Sequence, residues 1–189
     1  MAISEKVFSE YEVEKIGIRL EEAEKADVNE CVGSLEQEME VKTVTKKCRG
    51  VVTKSRTKGT GAGTLKVTCH MPAYTYAKMY GMDVDGLIEG VTAYGRDSMH
   101  PVFCMTALVT DEDGNKKLKA WPKCVISSGP KPNIENGADE VAEVEFEIAV
   151  SPDDDGFGVY EAIESDLKDE TVKTTWLESF TPDMVKLTA

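Results

Sequence analysis

The residues of this chain with the chemistry to catalyse or to hold a metal are two histidines, five cysteines and two acidic turns. His70 and His100 lie in different stretches, and neither has a serine, cysteine or carboxylate at an offset that would assemble a nucleophile with its base. No catalytic residue is nominated, and the chain does not read as an enzyme. Gly59, Gly61 and Gly63 form a GxGxG run. It lacks the GK[ST] ending of a phosphate loop and opens no long helix, so it reads as a flexible loop tip.

Asp111, Asp113 and Asn115 have the DxDxN spacing of a calcium loop, but Lys116 stands where glycine is needed and Pro122 where the bidentate glutamate should be. Asp153 and Asp155 begin better, with Gly158 and Glu164 at the sixth and twelfth places. Phe157, however, occupies a ligand position and no flanking helices are evident. Ordinary turn chemistry accounts for both, and no metal or cofactor is expected. Cys31, Cys48, Cys69, Cys104 and Cys124 are odd in number and contain no CxxC pair. That fits neither a disulfide framework nor a zinc site, and the thiols read as reduced and intracellular.

Charge is the more informative feature. The net charge is −13, with 35 acidic residues against 22 basic ones, so nonspecific affinity for phosphate backbones is not expected. Between Val41 and His70, however, there is no acidic residue, while Lys42, Lys46, Lys47, Arg49, Lys54, Arg56, Lys58 and Lys66 are all basic. This describes a cationic arm on an anionic body. Two alternating runs present Glu36, Glu38, Glu40 and Glu143, Glu145, Glu147 on one side of a strand. Like charges so close repel one another. The runs read either as the plain solvated faces of an acidic protein or as a surface that must repel something anionic.

The elements that position these residues are mostly strands. Ile16, Ile18 and Leu20 alternate with polar or small neighbours, as do Leu35, Gln37, Met39 and Val41. The second run has a rival reading as a helix, since Ser34 and Gln37 have capping-box spacing, but it continues into the β-branched VKTVT. The stretch from Cys48 to Gly63 is rich in Gly and Thr and is followed by the alternating Leu65, Val67, Cys69 and Met71. It predicts two strands joined by a long, mobile, basic loop over residues 46–63. Pro72 and Gly81 bracket PAYTYAKMY as one short helix that places Tyr76, Met79 and Tyr80 on one side. Residues 102–109 are a continuous apolar run, as in a strand covered on both faces, and an Asp-Gly turn leads from them into KKLKAWPKCVI to make a hairpin. Val144, Phe146, Ile148 and Val150 point inward from the cleanest alternation, and a terminal helix is possible near Thr181 to Val185. The N-terminus lacks the pattern of a signal peptide and no stretch reaches the ~18 apolar residues of a membrane span. The 189 residues are expected to fold as a single mainly β domain, with 1–30 and 165–189 as arms.

The runs VGSLEQEMEVKTVTKKCRGVVTKSRTKGTGAGTLKVTCHMPAYTYAKMYGM, PVFCMTALVTDEDGNKKLKAWPKCVISSG, IENGADEVAEVEFEIAVSPDDDGFGVYEA and WLESFTPDMV together resemble the major tail tube proteins of siphophages of Gram-positive bacteria. The resemblance covers nearly all of the chain after residue 30 and lies in overall order, not in a catalytic signature. It implies a β-sandwich or open barrel with one flanking helix and a protruding hairpin loop, assembling as stacked, hexameric rings in a virion tail made in the host cytoplasm. The implied partners are further copies of the chain, a tail terminator, a tape measure and distal tail proteins. Genome DNA would pass through the lumen without stable binding. In that setting Glu36, Glu38, Glu40, Glu143, Glu145 and Glu147 are candidates to face the lumen, and Lys46, Lys47, Arg49, Lys54, Arg56 and Lys58 to make contacts between subunits. The inner tube of a contractile tail or a type VI-like secretion system is an alternative within the class. A β-sandwich module binding calcium or carbohydrate is one outside it.

Overall fold

The computed structural model describes residues 7–137 and 140–187. Eight strands form one antiparallel sheet: β1 (Glu12–Leu20), β2 (Asp27–Asn29), β3 (Val32–Cys48), β4 (Val51–Cys69), β5 (Phe103–Thr110), β6 (Lys116–Ile126), β7 (Val144–Ser151) and β8 (Tyr160–Ile163). Their order is β2-β1-β5-β6-β7-β4-β3, with β8 on β6 beside the path. The sheet curls until β3 approaches β1 without pairing along it, which leaves an open barrel. A groove of about 600 Å³ marks the seam, lined by residues 10–13 of one side and Val32, Ser34, Leu35 and Gln37 of the other.

Pro122 explains how one strand serves two neighbours. Residues Lys117 to Ala120 of β6 pair with β8, whereas Lys123 to Ile126 pair with β7. Proline has no N–H to give to a ladder, and the chain changes partner across it. A bulge at the same place sets Phe103 opposite Cys124 but Met105 opposite Trp121. The extra residue shifts the alternation, so that Trp121 and Cys124 both reach the barrel core.

The core is built from the inward rows of these strands, among them Ile16, Leu65, Val67, Met105, Trp121, Phe146 and Ile148, with Met79 of helix α1 (Ala73–Met79) and Tyr80 just after it. A second cluster lies on the opposite face of the sheet, where Cys104, Leu108 and Leu118 meet Trp176 and Phe180 of helix α2 (Glu170–Ser179) and the residue after it. The apolar run expected at 102–109 is therefore covered on both faces from Phe103 onward, while Val102 is exposed before the strand. Among the described residues no helix is long and apolar enough to cross a membrane.

Four expectations are corrected. The basic stretch 46–63 is not a loop. Except for the two-residue turn Arg49-Gly50 it is paired strand, with Cys48 opposite Val51 and the ladder unbroken but for bulges back to Val32 and Cys69. Arg49 (φ 51°) and Gly50 (φ 82°) both take the positive φ that a tight hairpin of this hand demands. Glycines 59, 61 and 63 mark the root of the ribbon and not its tip. The first thirty residues are not an arm either, because they supply β1 and β2, with Ile16 wholly buried. Residues 165–189 are likewise no arm as far as Phe180, since α2 packs on the sheet and Trp176 Nε1 donates to the Lys119 carbonyl oxygen at 3.0 Å. Residues 1–6 and 188–189 of those two segments lie outside the described residues. Finally, the described residues form two α-helices and not one. Asp169 caps α2, its carboxylate accepting from the Thr171 and Val172 amides at 2.8 and 3.3 Å. The expected terminal helix is a 3₁₀ turn, Pro182–Val185. The helical rival at Ser34 does not form, since that stretch lies in β3.

Candidate assembly surfaces

Strand β4 lies between β3 and β7, and this alone brings the two glutamate runs together. Glu36 stands opposite Lys66, and Lys66 opposite Glu147. One step along, Ser34 faces Thr68 and Thr68 faces Glu145; in the other direction Glu38 faces Thr64. Leu65, Val67, Phe146 and Ile148 alternate with these residues and are buried, so the glutamates occupy the face turned away from the barrel core. Glu143 precedes β7 and its carboxylate lies over Gly33, the bulged residue of β3, where a side chain would collide with it. Glu40 ends the row where β3 leaves the body.

The face is less purely acidic than the sequence implied. Lys66, which reads as part of the cationic stretch, belongs here, and Lys131 of the connector before β7 reaches Glu147 at 2.8 Å. The hydrogen bond from Lys131 and its charge, helped by Lys66, hold the Glu147 carboxyl below the usual range. Neither lysine was nominated for this face, because register between distant strands is not written in local alternation. Six carboxylates nevertheless share it with two ammonium groups.

Beyond Gly63, β4 loses β7 as a neighbour, and β3 and β4 continue as a two-stranded ribbon. From Val41 to Cys48 this arm extends roughly 26 Å. Pairing puts Lys42 opposite Lys58, Val44 opposite Arg56 and Lys46 opposite Lys54. These six alternate with Thr43, Thr57, Thr45 and Ser55, so one face of the ribbon carries five cations and the other is lined by hydroxyls, with Thr43 and Thr57 bonded at 2.7 Å. Of the remaining nominated cations, Lys47 falls on the hydroxyl side and Arg49 in the turn. Like charges set directly opposite destabilise a ladder. Among the described residues none of these cations has a carboxylate within ion-pair reach.

The arm is seated by close backbone approach. A Cβ at Gly158 would fall 1.8 Å from the Gly61 carbonyl oxygen, and one at Gly61 (φ 80°) would fall 2.6 Å from that of Gly156. Gly61, the middle glycine of the GxGxG run, therefore packs the ribbon's root against the turn after β7. That turn and the one before β6 are the two calcium candidates, and both are self-satisfied. Asp111 Oδ1 accepts from the amides of Asp113 and Asn115 at 3.0 and 2.7 Å. Asp153 Oδ1 does the same for Asp155 and Phe157 at 3.0 and 2.9 Å, and Tyr160 donates to its other oxygen. Burial acts to raise Asp153, but the Tyr160 hydroxyl and these amides outweigh it and hold the carboxyl below its usual range. Both carboxylates are engaged in turn geometry.

Of the histidines, His100 holds a loop, with Nδ1 2.8 Å from the Ile126 carbonyl oxygen and its ring against Tyr80, while His70 is exposed. The five cysteines are free thiols: Cys31 and Cys48 are exposed and the others buried. Burial pushes Cys69 up to about 12 and Cys104 to about 11, which leaves them inert packing groups. At the seam, Lys119 is buried with its ammonium 2.8 and 3.0 Å from the Glu10 carboxylate and 3.2 Å from Glu161. Sequence reading missed this pair, since a lysine in an inward row shows no signal until its partner is in place.

No family model matches the chain, and no curated protein does. Among solved structures, the tube-terminating cap of the anti-feeding prophage, determined by cryo-electron microscopy, is similar with a TM-score of 0.46 and 10% identity. The match covers 86% of this chain and 99% of that one.

Proposed function

We propose that this chain is the repeating subunit of a phage tail tube, forming stacked rings of six whose lumen conducts genome DNA, and that the face carrying Glu36, Glu38, Glu40, Glu143, Glu145 and Glu147 lines that lumen. The observation that carries the reading is the gathering of two distant glutamate runs on one outward face of three adjacent strands. The projecting ribbon with unpaired cations and the sequence resemblance to siphophage tail tube proteins support it. A subunit with a 17-residue edge strand such as β3 needs a neighbour on that edge, since an open edge pairs indiscriminately. Ring closure supplies one.

The glutamates then have a physical purpose. Duplex DNA carries about one negative charge per 1.7 Å, and every lysine or arginine contact gains affinity by releasing counterions. A basic wall would hold the passing duplex at each ring, whereas a net acidic wall keeps it off the surface and lets it slide. Replacing Glu145 by lysine in virions tests this. The exposed site costs the fold little, within about 0.5 kcal/mol, but it places a cation at every ring. Particles of normal length that eject DNA slowly at low salt and recover at high salt are expected, with Glu145→Gln milder. Wild-type ejection at low salt would remove this face from the lumen.

A further inference from the structure

We infer that the arm of one copy is received by the loop of residues 82–102 of the next. The inference rests on the tube reading and names the partner surface of the arm. Strand β4 runs from the arm tip at Val51 to Cys69 and leads directly into α1, so the arm and the loop after α1 stand at opposite ends of the same strand. The loop is anchored at that far end: Met82 and Ala93 are bonded through the Ala93 amide at 3.1 Å, and His100 holds the last residue of β6. Between these anchors it has no regular structure and exposes apolar side chains, with Ile88 80% and Met99 83% exposed and Val84, Leu87 and Val91 also in solvent. Asp85 and Glu89 are interleaved with them, and Asp83 beside them is paired with Lys78.

The arm presents the complement. Among the described residues its cations have no carboxylate of their own, and Val44, Val51 (67% exposed) and Val52 lie bare among them. A surface that must satisfy both features needs acids among apolar groups, which Asp85 and Glu89 with Val84, Leu87, Ile88 and Val91 provide. The glutamate face on the barrel flank does not fit as well. There Glu36, Glu38 and Glu145 are in register with hydroxyls and with Lys66, and Lys131 already holds Glu147. Because the arm and loop are unlike surfaces at opposite poles, their contact is head to tail. It repeats without closing, as successive rings of a tube require, and its charge matching sets the polarity of stacking.

Cys48, exposed beside the arm turn and paired with Val51, is a native reporter of where the tip lands. In a Cys31→Ser background, Ile88→Cys and, separately, Glu89→Cys are concentrated and treated with a mild oxidant. Glu38→Cys serves as the control on the flank. Intermolecular disulfides to Cys48 in both loop variants, at least ten-fold more abundant than in Glu38→Cys and abolished by Cys48→Ser, are expected. Oligomers by light scattering that cross-link through Glu38→Cys, or through none of the three, would overturn the arm-to-loop contact while leaving the tube reading intact. A chain monomeric at every concentration and absent from purified virion tails would overturn both.

Discussion

Lys66 of β4 stands directly opposite Glu147 of β7, and its other neighbour in register is Glu36 of β3. One lysine thus sits between two glutamate runs that are about a hundred residues apart in the chain. Replacing it with glutamate sets three carboxylates abreast. Each opposed like-charge pair costs roughly 0.2–1 kcal/mol, so Lys66→Glu is expected to lower the urea midpoint, with much of the loss restored by salt. Lys66→Met, which removes only the attraction, should lie between the variant and the parent.

Trp176 fixes the C-terminal helix to the body. Its ring packs on Phe180 with centroids 4.7 Å apart, and its indole N–H is satisfied by Lys119. Trp176→Ala is expected to cost about 3–5 kcal/mol in a chemical denaturation series. A segment serving only as an assembly arm would show no loss of monomer stability on this substitution.

Glu10 and Lys119 tie the segment before β1 to the barrel seam. Burial acts to raise the Glu10 carboxyl, but the hydrogen bonds from Lys119 and then Lys117, with their charges, bring it below the usual value. A carboxyl lowered in the folded state stabilises above its unfolded pKa, and that stability is lost as the pH falls through the folded value. Glu10→Gln is therefore expected to cost about 1 kcal/mol near neutral pH, since the carboxylate is partly exposed and screened and Lys119 keeps Glu161. The gap from the parent should close progressively as the pH drops below the ordinary carboxylate range. A pH-independent gap would mean that the glutamate acts by packing and not by charge.

Much of this was legible from local pattern. The inward rows of β4 and β7, the double coverage of β5, the hairpin at Asp-Gly and the bracketing of α1 by Pro72 and Gly81 all follow from alternation and turn chemistry. What was not legible depends on contacts between distant residues. Glycines spaced through 59–63 signal mobility in isolation, yet Gly61 and Gly63 are small because another backbone lies against them. Helix α2, with its β-branched ETVKTTWLES, has weak intrinsic propensity and forms because Trp176 has a site to fill. The glutamates were visible as two runs, but only the insertion of β4 between them makes one surface.

The most direct test of the central claim is negative-stain electron microscopy, paired with light scattering, of the concentrated parent and of the triple variant Lys54→Glu, Arg56→Glu, Lys58→Glu. Rings or short tubes with an open lumen are expected from the parent, and from the triple variant a folded protein, no less stable than the parent, that forms no stacked tubes. Assembly of the triple variant as readily as the parent would remove the arm from the interface. A parent that stays monomeric at every concentration and is absent from purified virion tails would contradict the claim that this chain builds a tube.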